Sequence, residues 1–299
     1  MNVAAVDIGT NSVRLLATDA RGVELERRMR ITRLGQGVDL EGKLVDEAMD
    51  RTVAVLEVYG ERIRDLEVSA VRVTATSAAR DAANRDDFFE RVARAVGARP
   101  ELLSGEDEAA LSFAGATAGL DLADGPFLVQ DIGGGSTEFV LGHDGPEALI
   151  SVDMGCVRLT ERHLHSDPPT RAQLDAALQD ASRLLEQVSA RVPVQRARRL
   201  VGVAGTVTTL AAMAAGLDSY DPSRTHGAIL ERDEVERLFE SLASATLVER
   251  RAMLHEPQRA EVIVGGCAVL VQTLRQLDIR SLQVSESDIL DGLAASLRP

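Results

Sequence analysis

Two stretches of the sequence share the pattern that decides the fold: AVDIGTNSVRLLATD at Ala5–Asp19 and VQDIGGGSTEFVLGH at Val129–His143. Each places D-I-G-x-x-S between two apolar runs, and apolar runs joined by a glycine-containing turn are typical of a β-hairpin. The chain therefore carries one loop motif twice. In an ungapped alignment the first copy sets Asp7, Ile8, Gly9 and Ser12 on Asp131, Ile132, Gly133 and Ser136.

A second pair of segments follows the hairpins at similar intervals. VRVTATSAAR in the first half and LVGVAGTVTTLAAM in the second both predict a strand, a turn of small residues and a helix. Between hairpin and strand, each half has a long amphipathic pattern that predicts a helix, ending near Leu66 in the first half and covering Thr170–Val192 in the second. This order predicts an α/β fold of two duplicated domains, residues 1–122 and 123–299.

Ligands in sheets of this kind bind beyond the carboxyl ends of the strands. The two D-I-G loops are therefore expected to face a shared cleft.

Composition narrows the classes of function. Hydrophobic residues make up 45% and charged residues 27% of the chain, as in an ordinary soluble globular protein. The 3% aromatic content disfavours a base-stacking surface for single-stranded nucleic acid. A formal net charge of −14 repels nucleic acids and anionic membranes, so neither is an expected partner. Lys43 is the single lysine, so arginine side chains are expected to make most cationic contacts to a phosphate.

Cysteine and histidine spacing gives no metal signature. Cys156 and Cys267 stand apart, without a C-x-x-C pair, and His163 and His165 do not share a helical face. The N-terminus lacks a basic segment followed by an apolar export segment. A reducing, cytoplasmic location is expected.

The second D-I-G loop has the composition of an anion site. Gly133, Gly134 and Gly135 remove every β-carbon from the bend, which lets successive backbone N–H groups converge on a phosphate. Ser136 and Thr137 add hydroxyl donors. Asp131 ends a buried strand, where a carboxylate needs a cation or hydrogen-bond donors.

The two copies differ at one position that matters for chemistry. Where the first hairpin has Arg14, the second has Glu138, so one offers a cation for phosphate and the other a carboxylate for a metal ion or water. Arg80, with Thr76 and Ser77, lies at a strand-to-helix turn that suits a second phosphate. Three acidic residues start the next helix, and spacing alone does not choose a water-activating carboxylate among Glu106, Asp107 and Glu108.

Taken in order, seven segments resemble the exopolyphosphatase and guanosine pentaphosphate phosphohydrolase family over nearly the whole chain. These are AAVDIGTNSVRLL, ATSAARDAAN, LLSGEDEAALSFAGA, DIGGGSTEFVLG, DMGCVRLTERHL, VGVAGTVTTLAAM and RAEVIVGGCAVL. The resemblance implies two actin-like, ribonuclease H-like domains. It also implies hydrolysis of the terminal phosphoanhydride of inorganic polyphosphate, or of guanosine pentaphosphate, with Mg²⁺ or another divalent cation such as Mn²⁺.

Residue by residue, the resemblance places the catalytic glutamate of the family's S-G-x-x-E-A motif on Glu108. It implies that Asp131 and Glu138, with Asp7, surround the metal ion and the nucleophile. The remaining matched residues are implied as phosphate contacts: Asn11, Ser12, Arg14, Arg80, Gly133, Gly134, Gly135, Ser136, Thr137, Gly205 and Thr206.

The sequence departs from the family at Ala110, where relatives often have an arginine. Longer relatives add a helical C-terminal module, so a preference for short chains is expected here. A small-molecule phosphotransferase of the same superfamily and a sensor that binds without turnover stay as alternatives. The sequence neither requires nor forbids a homodimer.

Overall fold

The two hairpins lie in two separate mixed β-sheets of this computed structural model, which describes residues 1–298. The chain divides into two compact units. The first unit is Met1–Gly115 together with the segment that begins at Ile289, and the second is Ala116–Asp288. The expected domains, 1–122 and 123–299, differ from this grouping mainly because the last helix belongs with the first unit.

The strands of the first unit are short, and burial is greatest in β1 and β2. They are β1 (Val3–Ile8), β2 (Ser12–Thr18), β3 (Glu24–Ile31), β4 (Ala70–Ala75) and β5 (Glu101–Leu102). Those of the second unit are β6 (Phe127–Ile132), β7 (Thr137–Gly142), β8 (Pro146–Val152), β9 (Arg199–Val203), β10 (Ile229–Glu231) and β11 (Ser281–Val284).

The helices separate these strands in the predicted order. In the first unit they are α1 (Val38–Glu41), α2 (Asp46–Asp65), α3 (Ser77–Asp81), α4 (Arg85–Val96) and most of α5 (Gly105–Thr117). In the second they are α6 (Cys156–His163), α7 (Arg171–Arg191), α8 (Ala204–Ala214), α9 (Pro222–Thr225), α10 (Arg232–Ser244), α11 (Leu247–Met253) and α12 (Ile263–Gln276). The chain then returns to the first unit with α13 (Ile289–Ser296).

Strand order shows the duplication directly. The first sheet runs β3-β2-β1-β4-β5 and the second runs β10-β11-β9-β6-β7-β8. Strands β1, β2 and β3 pair antiparallel, as do β6, β7 and β8, while β4 lies parallel to β1 and β9 parallel to β6. The predicted α/β class with two duplicated units is confirmed, and β10 is an extra edge strand of the second unit.

Local sequence explains the central strands and the crossover helix. β1 and β6 are buried along their whole length, as expected for strands covered on both faces. α7 begins with a capping box in which Gln173 N donates to Thr170 Oγ1 and Thr170 N donates to Gln173 Oε1. Each unit has its own apolar core between sheet and helices. No helix within residues 1–298 has the length and apolar character needed to span a bilayer.

Helix α13 is fixed to the first unit by close packing that its sequence alone did not predict. Leu290 and Leu293 are buried in a cluster with Ala5 and Leu16 of β1 and β2. Asp291 accepts a hydrogen bond from Arg27 at 2.5 Å. Gly292 lies so near α5 that an added Cβ would stand 2.2 Å from the carbonyl oxygen of Leu111. Helix α5 therefore has the C-terminal helix as a direct neighbour.

We predict that Gly292→Ala destabilises the protein by about 1–3 kcal/mol, because the backbone of α5 has to shift to admit the methyl group. The better helix propensity of alanine offsets only part of this cost. Urea unfolding measures the change. Gly119→Ala is the matched control, since an added Cβ there meets open space. Equal unfolding free energies for the two variants would contradict this packing.

Candidate active site

In the first unit, the carboxylate of Asp7 is held by Arg14 on the neighbouring strand. The two residues stand opposite each other in the β1–β2 ladder. Arg14 Nη2 donates to Asp7 Oδ2 at 2.7 Å, and Arg14 Nε donates to the same oxygen at 3.2 Å. Asp7 is only 3% exposed. This fixes the position of the guanidinium, and a cation at Asp7 would have to share Oδ2 with it.

The turn after β1 is tied to two other segments. Gly9 N donates to Ser12 O at 3.0 Å, which closes the turn. Asn11 O accepts hydrogen bonds from Thr32 N and Arg33 N, and Ala78 N of α3 donates to Thr10 Oγ1 at 3.2 Å. The predicted phosphate contacts Asn11 and Ser12 therefore lie on a turn with a defined backbone, beside the α3 turn that carries Arg80.

The three acidic residues at the start of α5 have different environments. Glu106 and Asp107 are exposed, and Asp107 Oδ2 accepts a hydrogen bond from Ser104 Oγ at 2.6 Å. Glu108 is 9% exposed, and its Oε2 accepts a hydrogen bond from Arg80 Nη1 at 2.6 Å. The same Nη1 donates to the carbonyl of Leu103 at 3.0 Å. Glu108 is thus the one buried, rigidly oriented carboxylate of the three.

In the second unit, two buried carboxylates stand opposite each other. Asp131 of β6 faces Glu138 of β7 in the ladder, the register that Asp7 and Arg14 have in the first unit. Asp131 is 6% and Glu138 is 1% exposed. Ser151 Oγ of β8 donates to Glu138 Oε1 at 2.7 Å. Like charges directly opposite in a sheet destabilise it, so this pair favours a bound cation.

The glycine bend is anchored to the start of α6 through its carbonyl oxygens. Cys156 N donates to Gly133 O at 3.0 Å, and Val157 N donates to Gly134 O at 2.9 Å. The buried Arg158 adds a bond from Nε to Gly135 O at 2.8 Å.

Because C=O and the following N–H point in opposite directions in a trans peptide, this anchoring turns three successive N–H groups away from α6. These are the N–H groups of Gly134, Gly135 and Ser136. Successive N–H groups on one side of a bend are the arrangement that anion-binding concavities use in other proteins.

Two neighbouring residues keep this bend in place. A Cβ at Gly155 would stand 2.1 Å from Gly134 O, so only glycine lets α6 come this close. Thr137 is fully buried, and its hydroxyl donates to the carbonyl of Met154. The Thr137 hydroxyl, predicted as a phosphate donor, therefore has a bond that holds the loop.

The turn from β9 to α8 supplies the other predicted residues of this unit. Asp131 pairs with Val203 across the parallel strands β6 and β9, so this turn begins beside the glycine bend. Ala204 has φ 67°, a left-handed conformation that is strained for a residue with a side chain. Thr206 is buried in the first turn of α8.

One charged residue beside this turn, Arg259, was not predicted from the sequence as part of the site. An added Cβ at Gly205 would stand 1.7 Å from Arg259 Nη1, so the guanidinium lies directly on this glycine. Glu256 accepts a hydrogen bond from Arg259. Arg259 begins the RAEVIVGG segment of the family resemblance, but nothing local in that segment indicates contact with a loop more than fifty residues earlier.

Cys156 lies at the site, but its thiol is not in the deprotonated form that a cysteine nucleophile needs. Burial raises the pKa of its thiol to about 11, with the positive charge of Arg259 acting in the opposite direction. The thiol is therefore protonated at neutral pH, and its role here is to pack. Cys267 is buried as well, and both cysteines are free thiols.

The structure thus gathers the predicted residues into two groups. Asp7, Asn11, Ser12, Arg14, Arg80 and Glu108 lie in the first unit, at the carboxyl edge of β1 and β4. Asp131, Gly133, Gly134, Gly135, Ser136, Thr137, Glu138, Gly205 and Thr206 lie in the second, at the carboxyl edge of β6 and β9.

Comparison with known proteins connects these groups to a family. A profile described as the Ppx/GppA phosphatase family matches residues 17–298. Exopolyphosphatase 2 of Mycobacterium tuberculosis is 45% identical over 313 aligned positions, which cover 99% of this chain and 98% of that protein. A bifunctional 3-dehydroquinate synthase/phosphatase of Fusobacterium nucleatum is 31% identical, over 97% of this chain and 45% of that protein.

Two solved structures superpose on nearly the whole chain. A Ppx/GppA family member from Aquifex aeolicus superposes with a TM-score of 0.81 at 32% identity, covering 99% of this chain and 97% of that one. An exopolyphosphatase from Cytophaga hutchinsonii superposes with a TM-score of 0.91 at 26% identity, covering 99% and 97%. The resemblance found in the sequence motifs is confirmed, and the chain belongs to the Ppx/GppA phosphatase family.

Proposed function

We propose that this chain is an exopolyphosphatase, which hydrolyses the terminal phosphoanhydride bond of inorganic polyphosphate and releases orthophosphate. The observation that carries the proposal is the bend at Gly133–Ser136, whose anchored carbonyls turn three N–H groups outward beside the opposed carboxylates Asp131 and Glu138. The high identity to exopolyphosphatase 2 of Mycobacterium tuberculosis supports it.

The donor set of the second unit fits Mg²⁺ or Mn²⁺. Mg²⁺ is usually bound by one or two carboxylates, with waters and substrate phosphates completing the octahedron. Asp131 and Glu138 provide two such carboxylates, and within residues 1–298 no larger cluster of His, Cys, Asp or Glu is present. Bound there, the cation would neutralise charge on the transferring phosphoryl group. Asp7, the third expected ligand, is bonded to Arg14 instead.

The chain's own residues supply the remaining steps. The N–H groups of Gly134, Gly135 and Ser136 bind oxygens of the terminal phosphate, and the Arg14 guanidinium, held by Asp7, binds others. Glu108, oriented by Arg80, accepts a proton from the attacking water. Water forms the new P–O bond as the bond to the bridging oxygen breaks, which leaves orthophosphate and a chain shorter by one phosphate.

A phosphate-release assay on purified protein tests the function. We expect release from short polyphosphate that requires a divalent cation and no acceptor molecule, and activity per chain that does not rise steadily with length into the hundreds of units. Guanosine pentaphosphate and ATP are compared in parallel. A preference for guanosine pentaphosphate would reassign the substrate. A requirement for an acceptor would indicate a phosphotransferase, and binding without release would indicate a sensor.

For the proposed base, Glu108→Gln should lower kcat at least about a hundredfold with little change in KM, because the amide cannot accept the proton. Steady-state phosphate release measures both constants. Glu106→Gln is the control, since that side chain lies exposed on the same turn of α5. Unchanged turnover in Glu108→Gln would reassign the base, with Glu138 the next candidate.

For the proposed cation site, Glu138→Gln should raise the Mg²⁺ concentration for half-maximal activity at least about tenfold, because one anionic ligand is lost. Activity is titrated against Mg²⁺ at fixed polyphosphate. Glu186→Gln, an exposed residue of α7 in the same unit, is the charge-matched control. An identical Mg²⁺ titration for Glu138→Gln and wild type would contradict this assignment.

A further inference from the structure

An arginine-lined cavity lies in the second unit, at the edge of the sheet opposite the glycine bend. It has a volume of about 580 Å³. It is formed where β6, β9 and β11 begin, together with the loops before β9 and β11. The glycine bend and the α8 turn follow the other ends of β6 and β9. Since a strand advances about 3.3 Å per residue, the length of β9 separates this cavity from the candidate active site.

Three guanidinium groups and one acidic side chain line this cavity. The arginines are Arg198, Arg199 and Arg280, and the acid is Asp278, which is 91% exposed. Asp278 is already paired with Arg232 at 3.4 Å. In a protein of formal net charge −14, this is a local surface of positive sign.

The arginines differ in how far they are neutralised. Arg199 donates to Gln283 Oε1 at 2.7 Å and pairs with Asp124 at 3.1 Å. Arg198 is exposed, and the one hydrogen bond that its side chain makes within residues 1–298 runs from Nη1 to the Ala123 carbonyl at 3.5 Å. Arg280 is also exposed, and its guanidinium has no ion pair or hydrogen bond within residues 1–298. Two positive charges here are therefore available to a ligand.

These two arginines line the cavity at the starts of two neighbouring strands. β9 and β11 are parallel, and Leu200 pairs with Leu282. Arg198 and Arg280 each stand two residues before these paired leucines, in the segments that lead into the strands. Adjacent like charges are unfavourable unless an anion lies between them. A planar guanidinium pair of this kind suits bidentate contact with phosphate oxygens.

We propose that this cavity is a second binding site for a linear phosphate chain, separate from the catalytic loops. The cavity volume lies in the range of small-molecule sites and is larger than one orthophosphate needs. The choice of a phosphate chain over other polyanions rests on the proposed function. The assignment of the cavity as an anion site rests only on its arginines and does not depend on that function. The same chemistry could be presented by inorganic polyphosphate or by the phosphate tail of a nucleotide.

The test is calorimetric titration of the full chain with a methylene-bridged triphosphonate, which cannot be hydrolysed. We expect the cavity in Arg198→Gln/Arg280→Gln to bind the analogue at least about tenfold more weakly, because two charge-assisted contacts are removed. The isotherm of this variant should therefore show one equivalent of bound analogue fewer than that of wild type. Arg171→Gln/Arg237→Gln, exposed arginines on α7 and α10, makes the same charge change elsewhere and should keep the wild-type isotherm. Thermal unfolding confirms that each variant is folded.

The difference between wild type and variant is one equivalent whether or not the catalytic loops bind the analogue, so this result is separate from the phosphate-release assay. Binding of the inorganic analogue in preference to β,γ-methylene ATP would assign inorganic polyphosphate as the source. Stronger binding of the nucleotide analogue would assign a nucleotide, with Ile229 and Leu277 as its apolar contacts. An unchanged isotherm in Arg198→Gln/Arg280→Gln, or equal loss in both double variants, would overturn the proposal.

Discussion

The chemistry of this protein depends on how one short bend is anchored. Three consecutive carbonyls, from Gly133 to Gly135, are each bonded to the first turn of α6 or to Arg158. Because each peptide unit is planar and trans, the direction of each bonded carbonyl also fixes the direction of the N–H group that follows it. A glycine at 155 is required for the close approach, and the buried Thr137 hydroxyl holds the other end. The shape of the bend thus depends on the packing of α6 as much as on the glycines themselves.

Duplication followed by charge divergence gives the two units different roles. The same position across the hairpin ladder holds Arg14 opposite Asp7 in one unit and Glu138 opposite Asp131 in the other. The first pair is an internal ion pair that fixes the Arg14 guanidinium. The second pair is two carboxylates, which are stable together in a buried site when a positive charge joins them. On the proposed function, the difference at this one position gives phosphate binding to the first pair and cation binding to the second.

Several arginines have defined partners in a chain with a formal net charge of −14. Arg80 is bonded to Glu108, Arg158 to the glycine bend, and Arg259 lies on Gly205. Arg198 and Arg280 are different, because both line the cavity at the far edge of the second sheet and neither has an acidic partner within residues 1–298. Local guanidinium groups must therefore overcome the long-range repulsion that the whole protein exerts on a polyanion.

By itself the sequence determined the duplicated α/β fold, the two hairpin loops and the membership of the family, because hydrophobic periodicity and glycine spacing are local signals. Spacing alone did not distinguish Glu106, Asp107 and Glu108, and only the family resemblance pointed to Glu108. Burial and Arg80 now distinguish Glu108, and both arise from chain segments distant in sequence. The contact of Arg259 with Gly205, the return of α13 to the first unit and the presence of Arg198 and Arg280 in one cavity were likewise decided by tertiary packing, which joins residues that no local pattern connects.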